Sequence, residues 1–198
     1  MSGYVIIGNS TAGLAGAQAL RQHDPCAKIT VISGEPHLPY SRVLLTHLIA
    51  GHVVRDQLDL TGPEFMDRLG ITLLSGSRAV NVELNLKEVL LDSGEKLQYK
   101  SLLVAAGSRP VFPDGFSGEN PAITGLRTID DAIKICRHVV PGAKIIVVGG
   151  GPVGVKLACA LREAGTMPEI IVSSPNLLSQ VSDDEAARMV QAMLTSRG

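Results

Sequence analysis

The sequence has no tryptophan, and only three tyrosines and three phenylalanines among its 198 residues. Its core must therefore be aliphatic, because apolar residues still make up 45% of the chain, too many for a disordered segment. Only three cysteines occur, Cys26, Cys136 and Cys159, far apart. That excludes a disulfide scaffold and any CxxC site, and it suits a reducing compartment, the cytoplasm. Cys159 sits in an apolar helical stretch and reads as a small buried hydrophobe. The five histidines form no HExxH, so no metal site is expected. Charge of either sign is not in excess, 18 basic against 19 acidic residues, which removes a broad attraction to nucleic acid or anionic membrane. No apolar run reaches the roughly 18 residues of a spanning helix. The opening MSGYVIIGNS lacks a basic start and a long apolar stretch, and reads as a strand rather than a signal peptide.

Glycine is what the chain has in excess, with 21 residues at irregular spacing that excludes collagen. Several of these glycines punctuate a repeated pattern. Tyr4–Ile7 is a short apolar strand, Gly8–Gly13 a turn, Leu14–Arg21 a helix stopped at Asp24-Pro25, and Lys28–Ile32 the next strand. A βαβ start of this kind predicts a parallel sheet. Residues 36–51 read as a Pro-punctuated loop and a helix, Val43–Ala50, and Thr61–Arg68 as another short helix. From Ile71 to Val104 short strands alternate with turns, predicting an antiparallel hairpin insertion that feeds a final parallel strand, Ser101–Ala105. The Pro/Gly/Asn-rich stretch 111–125 is the candidate domain boundary, giving domains 1–111 and 112–198. A helix over Ile129–His138 follows, with Asp130 and Asp131 in its first turn, where carboxylates suit the dipole. Then a second βαβ begins: strand AKIIVV, turn GGGPVG, helix Val155–Ala164, strand EIIVS. A last helix spans Ser182–Met193.

The two glycine turns carry the chemistry. Gly149, Gly151 and Gly154 satisfy G-x-G-x-x-G between a strand and a helix. The first glycine permits the tight turn, the second lets backbone N–H groups approach a pyrophosphate, and the third lets helix and strand pack closely. In the first turn, Gly8-Asn9-Ser10-Thr11-Ala12-Gly13, Ser10 takes the second glycine position with a small hydroxyl. Glu35, just beyond the second strand, stands where a carboxylate accepts hydrogen bonds from an adenosine ribose and repels a 2′-phosphate, which fits FAD or NAD. The matching place after the later strand carries no acid. Ser173 and Ser174 there suit either a ribose hydroxyl or a phosphate, so NADH and NADPH both stay open.

These segments together resemble the FAD- and NAD(P)-dependent pyridine nucleotide-disulfide oxidoreductases, and within them the branch of rubredoxin and ferredoxin reductases and nitrite reductase flavoproteins. The marks are VIIGNSTAG at 5–13, ITVISGE at 29–35, PYSRVLLTHLIAG at 39–51, LLVAAGSRP at 102–110, LRTIDDA at 126–132 and IIVVGGGPVGVKLACAL at 145–161. The resemblance implies an α/β fold: a Rossmann-like FAD-binding unit with an antiparallel hairpin insertion, then a partial second Rossmann-like NAD(P)-binding unit. It implies that Gly8, Ser10, Ala12 and Gly13 bind the FAD pyrophosphate and Glu35 its ribose. Arg42 would approach the flavin, with His47 where Lys is often found. Val80 would meet adenine through its backbone, and Ala105, Ala106 and Gly107 would close the FAD unit, Ala106 replacing a Thr. Gly149, Gly151, Pro152, Val153 and Gly154, with Ser173 beyond, would hold NAD(P)H. Many members carry Glu where Lys156 stands. PYSRVLLTHL has none of the redox cysteines of the disulfide-reducing members, so the flavin itself would be the redox centre and no side chain is assigned as catalytic. The implied activity is electron transfer from NAD(P)H through FAD to a small redox protein such as rubredoxin or ferredoxin, or to an attached redox module. The alternatives are a nitrite reductase-type flavoprotein portion and a nucleotide-binding subunit without turnover. The family fold is about twice as long, so the resemblance also implies a truncated chain or a natural two-chain enzyme completed by a second polypeptide.

Overall fold

The apolar run after Gly3 forms β1 (Gly3–Ile7) in the computed structural model, which describes residues 3–116 and 119–198. Met1 and Ser2 of the opening stretch, and Ser117 and Gly118 of the connector, lie outside the described residues. Two compact units result, one of residues 1–41 and 59–108, the other of 42–58 and 109–198.

In the first unit β1 pairs in parallel with β2 (Ile29–Ser33) on one side and β6 (Lys96–Val104) on the other. The helix α1 (Thr11–His23) makes the first crossover. β3 (Ile71–Ser75) pairs in parallel with β2, and β4 (Ala79–Glu83) and β5 (Glu88–Leu91) extend β6 antiparallel, giving the order β3-β2-β1-β6-β5-β4. Every residue of β2 is buried, as expected for a strand covered on both faces of a parallel sheet. On one face Ile6, Leu14, Ala17, Ile29, Val31, Met66 and Ile71 cluster; on the other Val5, Ile32, Val89, Leu91 and Tyr99 do. Each fully buried isoleucine here contributes about 2 kcal/mol, so an aliphatic core suffices.

Three expectations shift. Residues 71–75 do not belong to the antiparallel insertion: Ile71 packs beside Ile29 and Met66, which draws the strand into the parallel sheet. β6 is a single nine-residue strand whose first half faces β5 and whose second half faces β1, with a register break at Gly3/Tyr4. The helix predicted over 61–68 forms only as α3 (Phe65–Arg68).

The second unit takes in the segment 42–58, where a short turn at Arg42–Leu44 leads into α2 (Leu45–Ile49). α2 packs on α4 (Ile129–Cys136) and on α5 (Pro152–Glu163). β7 (Lys144–Val148) and β8 (Met167–Ile171) pair in parallel. β8 starts two residues earlier than EIIVS suggests and includes Pro168, which a strand on the edge of its sheet tolerates because no ladder needs the missing N–H. The closing helix, α6 (Asp184–Ser196), is shifted slightly from the predicted span. Cys159 is half-buried rather than a core residue, on the wall of a hollow of about 400 Å³ lined also by Ile170, Leu177 and Leu194. No helix among the described residues is long and apolar enough to cross a membrane, and no group of three or more His, Cys, Asp or Glu among them could hold a metal ion.

Candidate functional site

The two glycine turns have the same local construction. Gly8 and Gly149 adopt φ of 108° and 111°, a region that disfavours any residue with a Cβ. Their amides donate to the carbonyls of Ile32 and Ile171, each at 2.8 Å, which ties each turn to the neighbouring strand. Five residues on, a Cβ at Gly13 would strike the carbonyl oxygen of Gly8, and a Cβ at Gly154 would strike that of Gly149. The third glycine of each motif thus lets the helix start against its own strand.

The helices that leave these turns differ from α4 and α6. Ser10 and Gly151 are the N-cap residues of α1 and α5, and neither helix has a side-chain cap or an acid in its first turn. Pro152 occupies the first turn of α5, where a missing N–H costs nothing. By contrast α4 carries a capping box, in which Thr128 accepts from the Asp131 amide and Asp131 from the Thr128 amide, at 3.1 and 2.8 Å. α6 is capped by Asp183, which accepts from Ala186 at 2.8 Å. So α1 and α5 keep backbone donors and the positive dipole end for an anion. A Cβ at Gly151 would meet nothing within 4 Å, which leaves space for a phosphate over the turn. These observations fit a dinucleotide pyrophosphate at each of the two turns.

Around the first turn the structure gathers several predicted residues within one unit. Ala105 donates its amide to Ile7 at 2.8 Å, and a Cβ on Gly8 would collide with the Ala105 carbonyl, so Ala105, Ala106 and Gly107 run beside the turn. Ser10 is half-buried and Ala12 exposed. Glu35 is half-buried beyond β2, and its carbonyl accepts from the hydroxyls of Ser33 and Ser75 at 3.0 and 3.3 Å and from the Gly76 amide at 3.2 Å. Ser77 donates to the Ser33 carbonyl at 2.9 Å, so the chain entering β4 runs beside Glu35, three residues ahead of the exposed Val80.

Sequence reasoning assigned no role to two residues here. Asn9, buried within the turn, donates through Nδ2 to the carbonyl of His37 at 3.2 Å and braces the loop that carries Glu35. Tyr40 donates its hydroxyl to Glu35 Oε2 at 2.5 Å. The signal for Tyr40 is its place in the PYSRV segment that carries the family resemblance, an aromatic in an aromatic-poor chain.

In the second unit, Arg42 Nη1 donates to the Arg127 carbonyl at 2.7 Å. His47 is exposed, its ring centroid 5.8 Å from that of His52, which faces Glu163 at 3.5 Å. Beside the second turn, a Cβ on Gly150 would meet Val172 and Leu177, and Gly150 accepts from the Leu178 amide at 2.8 Å. Pro152, Val153 and Lys156 are exposed. Ser173 is exposed just past β8, whereas Ser174 spends its hydroxyl on the Asn176 carbonyl at 2.7 Å. All three cysteines are free, and burial raises the Cys136 thiol above its ordinary pKa.

A family model described as pyridine nucleotide-disulphide oxidoreductase matches residues 2–198. The ferredoxin reductase component of chlorobenzene dioxygenase from Cupriavidus sp. (strain PS12) is 30% identical over 193 residues, which is 98% of this chain and 47% of that protein. The assimilatory nitrate reductase electron transfer subunit of Bacillus subtilis (strain 168) is 28% identical over 195 residues, 98% of this chain and 25% of that protein. Among solved structures, the covalent putidaredoxin reductase–putidaredoxin complex matches with a TM-score of 0.93 at 25% identity, covering 98% of this chain and 48% of that one. The chain spans about half the length, or less, of the curated relatives it matches.

Proposed function

The chain belongs to the pyridine nucleotide-disulphide oxidoreductase family, and from that premise we propose that it is the nucleotide-binding portion of an FAD-dependent NAD(P)H oxidoreductase that passes electrons to a small redox protein such as rubredoxin or ferredoxin. The observation that carries this reading is the pair of glycine turns, each opening a helix whose N-terminus is left uncapped and free of acids. FAD, when bound, supplies the acceptor for a hydride from NAD(P)H and the onward transfer of electrons.

The residues divide by cofactor. Gly8, Ser10, Ala12 and Gly13 hold the FAD pyrophosphate against the start of α1, and Glu35 takes the ribose hydroxyls. Val80 meets the adenine and Ala105–Gly107 border the pyrophosphate turn. Arg42 and His47 serve as flavin-side groups, a guanidinium and an imidazole. Gly149, Gly151, Pro152, Val153 and Gly154 hold the NAD(P)H pyrophosphate, and Ser173 offers a hydroxyl to the ribose or its phosphate. No thiol takes part, since the three free cysteines lie far apart in sequence and none falls in the Pro39–Gly51 segment. The same free thiols suit a reducing compartment such as the cytoplasm.

Ile146, Val148, Met167 and Ile171 are exposed along β7 and β8. Parallel strands are normally covered on both faces. This supports a second stretch of polypeptide, in the same chain or another, that completes the second unit. The nitrate reductase electron transfer subunit among the relatives supports the alternative that this chain is the flavoprotein portion of an assimilatory nitrite reductase-type enzyme.

The test is the absorption spectrum of the purified protein, followed by anaerobic titration with NADH and NADPH. A flavin band near the blue that bleaches with one nucleotide supports the proposal. Failure to take up flavin supports a binding subunit without turnover. Rubredoxin, ferredoxin and nitrite, added separately to the reduced protein, then divide the acceptors.

A further inference from the structure

We propose that Tyr40 is a positioning residue for Glu35: its hydroxyl sets the carboxylate in the orientation that recognises the adenosine ribose. This rests on the reading of Glu35 as the ribose acid.

The geometry makes Tyr40 a rigid donor. Its side chain is only 4% exposed, and its ring stands edge-on to His37 at 6.2 Å and 83°. Its backbone bridges Asp59, and the preceding Pro39 accepts from the Leu60 amide at 2.8 Å. From that fixed place the phenol reaches Glu35 Oε2 at 2.5 Å, the length of a charge-assisted O–H···O⁻ bond. Glu35 is held from its other end as well, because its carbonyl accepts from Ser33, Ser75 and Gly76. A glutamate has freely rotating χ angles, and ordering them is a cost that a ligand otherwise bears on binding. Here backbone and carboxylate are both restrained before the ligand arrives. A vicinal diol needs the acid's oxygens at a set distance and plane, so this restraint translates into ribose recognition. The phenol is neutral, so it leaves the acid's repulsion of a 2′-phosphate untouched.

A plainer role for Tyr40, packing the loop alone, predicts something different. The experiment compares the affinity of the full chain for FAD and for FAD lacking the adenosine 2′-hydroxyl, followed by flavin fluorescence. The unmodified chain is expected to prefer FAD, and Tyr40→Phe to reduce that preference about threefold to tenfold, the range of one hydrogen bond. Glu35→Gln should abolish the preference, and adding Tyr40→Phe to Glu35→Gln should change it no further. An equal drop for both flavins in Tyr40→Phe, or an undiminished preference, overturns the positioning role. So does a Tyr40→Phe effect that persists in the Glu35→Gln background. If Glu35→Gln keeps the preference, the ribose assignment of Glu35 itself fails. A chain that binds neither flavin refutes both. Should Tyr40→Phe fold poorly, Glu35→Asp, which shortens the acid away from the phenol, must lose the preference while keeping its charge; if it keeps the preference, the positioning role fails.

Discussion

Replacing Gly151 with Asp separates stability from nucleotide binding at the second turn. Gly151 is the N-cap of α5, with φ −73° and ψ 177°, an extended conformation open to any residue. A Cβ there meets nothing within 4 Å, so the new side chain causes no clash. Asp183 shows the outcome within the same chain, where it accepts from the amide three residues on at 2.8 Å and caps α6. In Gly151→Asp the corresponding donor is the Gly154 amide. An aspartate cap improves on glycine by a few tenths of a kcal/mol. Its charge at the helix N-terminus adds about 0.3–1 kcal/mol. The sum, about 1 kcal/mol, should raise the melting temperature of the ligand-free chain by about 2–4 °C. The same carboxylate occupies the place argued for a phosphate. Two like charges about 4 Å apart repel by about 4 kcal/mol at an effective dielectric constant near 20, enough to abolish measurable binding. Thermal unfolding by circular dichroism and a fluorescence titration with NADH measure the two effects. A lower melting temperature would refute the idea that α5 is an uncapped helix awaiting an anion. Unchanged NADH affinity would refute the placement of the phosphate.

Other expectations follow the same logic. Gly154→Ala forces a methyl into the Gly149 carbonyl, so despite alanine's better helix propensity it should destabilise by about 1–3 kcal/mol, seen as an earlier urea midpoint. Glu35→Ala should lose flavin affinity while Lys156→Glu, at an exposed position on α5, retains it; equal retention in a gel-filtration flavin assay counts against Glu35. Burial raises the Cys136 thiol, so less of it is thiolate at neutral pH than of an ordinary cysteine. Alkylation followed by mass spectrometry should label exposed Cys26 first, with Cys136 gaining only at more alkaline pH.

Much of the fold could be read from the chain because the signals were local. A β-branched run, a glycine turn and a small-residue helix name a βαβ unit wherever they fall, and both units formed where the pattern stood. The structure departs from the local pattern where the local signals are neutral. Residues 71–75 read equally well as a hairpin strand or a parallel edge, and the choice fell to the burial of Ile71 against Ile29 and Met66. Pro168 hid the start of β8 because only the sheet's composition reveals that this strand lies on an edge. The segment 42–58, which sequence order assigns to the first domain, packs with the second unit through α2, a long-range association that no short window contains.

By itself the sequence determined the two glycine turns and the acid after β2. Those depend on backbone sterics and on charge at fixed spacing, which travel with the residues. The tertiary structure alone decided how that acid is held. The Ser75 hydroxyl reaches Glu35 from 40 residues along the chain, the Gly76 amide follows it, and Tyr40 Oη turns back from the following loop; a hydrogen bond needs its partners within about 3 Å whatever their separation along the chain.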